Sequence, residues 1–221
     1  MKSSEALRVP AALLIAACCA CASTPTAVGR PLTESRIEFP GFSVGVPTGS
    51  GWGVNRNDQQ MYVEFIKSVS GLGWSGGADS QRISSFRVCK LPIIRGGGPL
   101  PDEQALAYEY IAIEERDLRV NVMGLTDYKS KTLGKGEKTV GDRRVHFLRY
   151  ETGGFSGAGM GPYFSIDGQM YVYLPPNYEK DGAAYTFLAS VGCKKCSSGL
   201  SADEIAQLDQ LLNSLVVGLK P

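Results

Sequence analysis

The stretch that decides the fold is the one that closes it: Leu200-Ser201-Ala202-Asp203-Glu204-Ile205-Ala206-Gln207-Leu208-Asp209-Gln210-Leu211-Leu212-Asn213-Ser214-Leu215. Ser201 followed three residues later by Glu204 is a capping box, in which the hydroxyl accepts the N3 amide and the glutamate reaches back to the cap amide. Leu200 and Ile205 flank it as a hydrophobic staple. Ile205, Leu208, Leu212 and Leu215 then share one helix face. A helix with one apolar stripe needs a surface to cover, and the segments before it alternate with the two-residue period of strands. The chain is therefore expected to end in a helix packed on a sheet.

Toward the N-terminus, residues 185–191, 170–174 and 163–167 read as strands, with loops expected at Gly168 and at 175–182. Gly141-Asp142 is a two-residue hairpin signal between strands at 135–140 and 143–152. Pro101-Asp102-Glu103-Gln104 carries helix-start chemistry. Leu106, Tyr110 and Ile113 mark the buried face of that helix, and Glu109, Glu114, Glu115 and Arg116 its wet one. Earlier strands are expected around Phe42, Val44 and Val46, then at 61–66 and 83–91, with turns at 48–52 and 55–58 and a glycine-rich loop at 70–77. Strands grouped into hairpins with two separated helices predict the α+β class: an antiparallel β-sheet flanked by two main helices, as one domain over 37–219.

Several blocks carry a family likeness. Phe42-x-Val44-x-Val46-Pro47 leads to Gly51-Trp52, Val140-Gly141 precedes a long strand, Tyr171 to Tyr173 is an aromatic strand, and a C-terminal helix follows. The set resembles PsbP-like domains. That resemblance implies an antiparallel sheet sandwiched by helices and a non-catalytic accessory or binding role.

The N-terminus has the layout of a secretory signal: basic Lys2 and Arg8, an apolar core from Val9, then small residues. The apolar run stops short of the roughly 20 residues that span a bilayer. Ile15-Ala16-Ala17-Cys18 resembles the lipobox of bacterial lipoproteins. The resemblance implies removal of residues 1–17 and lipidation of Cys18, with palmitate among the acyl chains and the membrane as a partner through that lipid. With Cys19 rather than aspartate next to the anchor, the outer membrane facing the periplasm is the expected address. Ordinary cleavage after Ala20-Cys21-Ala22 is the alternative and gives a soluble secreted protein. Residues 18–36, rich in Ser, Thr and Pro, read as a flexible tether.

Lys and Arg total 23 and Asp and Glu 22, and losing Lys2, Arg8 and Glu5 with the leader leaves a formally neutral mature chain. Neutrality argues against a nucleic-acid partner and against electrostatic membrane binding. Lipid rather than charge is then the expected hold on the membrane, and an envelope protein the expected partner.

Cys193-Lys194-Lys195-Cys196 is the most chemical-looking motif. It reads as a local disulfide bracing the strand-to-helix loop, or as one cysteine bridging to Cys89, with thiol-disulfide exchange as the functional alternative. Cys89, His146, Cys193 and Cys196 make a Cys₃His zinc set by count alone, since only the Cys-x-x-Cys half has ligand spacing. No metal, cofactor or catalytic set is expected. Gly73-Trp74-Ser75-Gly76-Gly77 matches the nucleophile-elbow pattern but lacks the strand-to-helix setting that the elbow needs. Gly157-Ala158-Gly159-Met160-Gly161 looks like a phosphate cradle, yet Pro162 and a strand follow instead of a helix. A loop carrying Phe155 and Met160 is where binding to a partner is expected.

Overall fold

In a computed structural model, the structure describes residues 30–31, 35–70, 81–93, 100–119, 126–155, 163–194 and 199–218. The strands are β1 (Arg30–Pro31), β2 (Arg36–Phe39), β3 (Phe42–Gly45), β4 (Gly53–Asn57), β5 (Tyr62–Ser70), β6 (Gln81–Pro92), β7 (Thr126–Val140), β8 (Arg143–Phe155), β9 (Tyr163–Tyr173), β10 (Ala183–Lys194) and β11 (Val216–Val217). Three helices occur among the described residues: α1 (Glu103–Arg119), α2 (Tyr178–Asp181) and α3 (Ala202–Ser214). None is long and apolar enough to cross a membrane.

Eight strands form one antiparallel sheet in the order β1-β4-β5-β6-β10-β9-β8-β7, and β11-β3-β2 form a second. This corrects the expected class. The described chain is chiefly strand in two sheets, not one sheet flanked evenly by two helices. On one face of the large sheet α3 and the three-stranded sheet share the cover, and Phe42, Val44, Phe65, Phe86, Tyr171, Phe187, Leu208 and Leu212 make a common core. On the other face α1 packs Leu106, Ala107, Tyr110 and Ile111 against Leu148, Tyr150, Met170 and Val172. Much of the unforeseen strand is β7, an edge strand whose Lys-, Thr- and Gly-rich side chains are mostly exposed. With one flank and most side chains in water, it needs no apolar alternation to pair with β8.

The local signals behave as their chemistry demands. The Ser201 Oγ accepts the Glu204 amide at 3.2 Å, and the Glu204 carboxylate accepts the Ser201 amide at 2.9 Å. Ser201→Ala is expected to cost about 1 kcal/mol, read as a shift in denaturation midpoint. The apolar stripe uses Leu208, Leu211 and Leu212 with Glu204, while Ile205 is only half-buried. At the start of α1 the Asp102 carboxylate accepts the Ala105 amide at 2.8 Å. The β7–β8 hairpin turns at Gly141-Asp142, where Gly141 sits at φ +63°, the positive φ that a tight hairpin turn with glycine at its first central position requires.

Other expectations shift. The turn expected at 55–58 falls later, because Gly53–Asn57 pair with β5 as strand β4. In α1 Ile113 is half-buried, and Ala107 and Ile111 complete the stripe. The loop expected at Gly168 does not form: β9 runs unbroken through it, paired with Tyr150 on one side and Ser190 on the other. A Cβ at Gly168 would lie 2.2 Å from Tyr150 Cζ, so the glycine is the floor on which the buried tyrosine ring rests.

Candidate functional site

Strand register gathers at one end of the large sheet features that are far apart in sequence. β5 ends and β6 begins at the pair Ser70–Gln81, and β8 ends and β9 begins at Phe155–Tyr163. β10 ends at Lys194, beside Gln81 and Phe164, and the chain then enters α3. The two glycine-rich segments therefore connect strand ends here, and the Cys-x-x-Cys segment leads from the same end into α3. Residues 71–80, 156–162 and 195–198 lie outside the described residues, so the elbow-like Gly73 to Gly77, the cradle-like Gly157 to Gly161 and Cys196 are not placed.

Beneath this end, one ion pair locks the first turn of α3 to the sheet, and a second, within the sheet, holds the residue that precedes the helix cap. Arg82 of β6 donates to both Glu204 oxygens at 2.9 Å. Ser84 donates to Glu204 Oε1 at 2.6 Å and Ser201 to Oε2 at 2.9 Å. Burial opposes the Glu204 charge, but the bonds from Arg82, Ser84 and Ser201 outweigh it and hold the carboxyl down at about 2. Next to it, Asp167 Oδ2 accepts from Arg149 Nη2 at 2.9 Å and from the Leu200 amide at 3.1 Å. Burial raises the Asp167 carboxyl above its ordinary value, opposed by the Leu200 amide and Arg149. Further along, Tyr171 Oη donates to Asp209 at 2.7 Å and accepts from Lys138 and Gln169. These side chains spend their hydrogen bonds on joining α3 to the sheet.

The surface of the loop end differs. Phe155 and Tyr163 are 38% and 43% exposed, and their rings meet edge to face at 5.1 Å. A Cβ at Gly153 would strike Tyr163 Oη at 2.5 Å, so the tyrosine lies down over the bare backbone of β8. Lys129 and Lys131 stand exposed on the neighbouring β7. Such an arrangement holds aromatic contact area in place before binding, which lowers the ordering cost of association. Phe155 was legible in the sequence as part of a glycine-rich loop. Tyr163 and its perch on Gly153 had no sequence signal beyond one more tyrosine in a strand.

The cysteine and histidine candidates are placed apart. Cys89 pairs with Thr186 and takes no part in a disulfide, whereas Cys193 is buried between Arg82 and Ser165. Thr186 and Cys193 are seven residues apart on β10, about 24 Å of strand, far beyond the roughly 7 Å Cα limit of a disulfide. His146 lies on β8, opposite Val172 of β9, and is 1% exposed. Its nitrogens lie 3.7 and 3.8 Å from Glu137 and Glu103 with no hydrogen bond, and Tyr108 packs edge-on against the ring. The Cys₃His set is thus not assembled by Cys89, His146 and Cys193. Among the described residues no group of three or more His, Cys, Asp or Glu is disposed to hold a metal. Cys18, Cys19 and Cys21 lie outside the described residues.

Fold and site together define a chiefly β domain with a large antiparallel sheet, at one end of which sequence-distant strand ends meet. No family model matches the sequence, and no curated protein matches it. Among solved structures, the chain is similar to cyanobacterial PsbP from Synechocystis sp. PCC 6803, at 12% identity over 77% of this chain and 95% of that one, with a TM-score of 0.34. It is also similar to the Saccharomyces cerevisiae Ran-binding protein Mog1p, at 11% identity over 80% of this chain and 90% of that one, with a TM-score of 0.39.

Proposed function

We propose that this protein is a lipid-anchored component of the cell envelope whose domain works as a non-catalytic binding or scaffolding module. Attachment is through Cys18, on the outer membrane facing the periplasm, and a protein partner engages the loop end of the sheet. The observation that carries the reading is the exposed, preorganised pair Phe155 and Tyr163 in a molecule whose other aromatic rings mostly serve its core. Aromatic anchors fixed in this way are the usual centres of binding energy in an interface. The lipobox-like Ile15-Ala16-Ala17-Cys18 supports the anchor, with each buried methylene contributing about 0.8 kcal/mol.

Two measurements test the two halves. Mature lipidated protein, used as bait in native envelope extract, is expected to retain a partner that Phe155→Ser/Tyr163→Ser loses by roughly tenfold or more, a change of about 1.4 kcal/mol or above. Equal capture by the double variant, with its melting temperature preserved, rejects the loop end as the binding surface. Cys18→Ser is expected to abolish incorporation of labelled palmitate and release the protein from the membrane fraction. Persistence of both rejects the anchor.

A further inference from the structure

Topology also bears on which side of the domain meets the bilayer. Residues 18–36 read from sequence as one slack tether, yet Arg30 and Pro31 are already strand β1, paired antiparallel with Val54 and Gly53 of β4. The N-terminal end of β1 therefore lies toward the 58–61 turn that joins β4 to β5. The loop end with Phe155 and Tyr163 lies the opposite way along the strands and, counting from β1, five to six strands across the sheet.

The register gives the scale. Arg30, Val54, Phe65, Phe86, Ala189, Gln169 and Arg149 share one row across the sheet, and Phe155 stands six residues beyond Arg149 on β8. At about 4.8 Å per strand and 3.4 Å per residue, the aromatic pair is roughly 35 Å from Arg30. Cys18 precedes Arg30 by twelve residues, which span at most about 40 Å when fully extended. With the strands upright, bringing Phe155 and Tyr163 to the bilayer raises Arg30 by about 20 Å, roughly half of that reach, and doubles the chain back over the domain, because the N-terminal end of β1 then points away from the membrane. Bringing the 58–61 turn there consumes little.

We infer that the anchored domain stands with its β1–β4 edge and 58–61 turn toward the bilayer and presents Phe155 and Tyr163 away from the membrane. This rests on lipidation of Cys18 as proposed above. The test uses full-length lipidated protein in phosphatidylethanolamine/phosphatidylglycerol vesicles bearing an acceptor-labelled lipid, with a fluorescent amino acid placed at exposed Gln59 or at exposed Lys129. Energy transfer to the bilayer is expected to be roughly twofold or more higher from position 59, given the separation of about 30 Å between the two ends. A glycine-serine insert of about 24 residues after Ser23 is expected to level the two signals while palmitate incorporation continues. Equal or reversed transfer in the uninserted protein, or a bias that survives the insert, overturns the inference while labelled palmitate still reports an intact anchor. Absence of palmitate removes the anchor and the orientation together, and that readout separates it from a failure of orientation alone.

Discussion

Gly168→Ala is expected to lower stability by about 3 kcal/mol, at the upper end of what overpacking a core costs. The reason is geometric. The new Cβ would sit 2.2 Å from Tyr150 Cζ and 2.5 Å from its hydroxyl, and the ring is buried under α1 with Leu148, Met170 and Val172. A ring in that position cannot swing to water, so the central strand β9 or the α1 contact must give. For a domain of this size the loss corresponds to a fall in melting temperature of about 6–12 °C. Combining Gly168→Ala with Tyr150→Leu, which removes the struck atoms, is expected to cost less than the sum of the two single changes by about 1 kcal/mol or more. Additive losses in denaturant titrations would show that the ring is not the obstacle.

Arg82→Ala is expected to cost about 2–3 kcal/mol. It strands the Glu204 carboxylate, whose side chain is 11% exposed, while Arg82 itself keeps 22% exposure to water, so the loss falls below the 3–5 kcal/mol typical of a fully buried pair. The pair also sets an acid limit. Glu204 is held at about 2 in the folded chain, whereas an unfolded glutamate titrates near about 4.3. Its contribution is therefore fully present above about pH 4.3 and is lost as pH falls from there toward 2. Glu204→Gln is expected to flatten the stability profile in that window and to leave its slope near neutrality unchanged. An unaltered acid limb in the variant would assign the acid loss to other carboxylates.

These two sites also divide what was readable from what was not. Glu204 was legible as half of a capping box because that exchange closes within four residues. Its second partner, Arg82, stands 122 positions away, and no local pattern marks a strand arginine as the one a helix start will meet. Gly168 misled in a similar way. Glycine weakens a strand and usually signals a turn, so a break was the cheaper local reading; the ring of Tyr150, supplied by the neighbouring strand, reverses it. The first part of β7, residues 126–134, escaped notice because Lys129, Lys131 and Leu133 are exposed on an edge and show no buried alternation. The expected α+β class failed largely through such strand, which backbone pairing stabilises with little help from side chains.

For the candidate site the balance is similar. Phe155 and the Cys193 motif stood out by composition. What composition does not carry is convergence: that the strand ends flanking 71–80 and 156–162 and the end of β10 before 195–198 all lie at one end of the sheet, and that Cys89 and Cys193 lie far apart along it. By itself, then, the amino-acid sequence determined the elements whose chemistry closes within a few residues, namely the capped helix α3, the Gly141-Asp142 turn and the start of α1. Only the tertiary structure decided which strands pair, in what register, and hence which side chains meet. Helix caps and tight turns are made by near neighbours along the chain, whereas sheet register is chosen by the best joint burial of strands that the chain holds far apart.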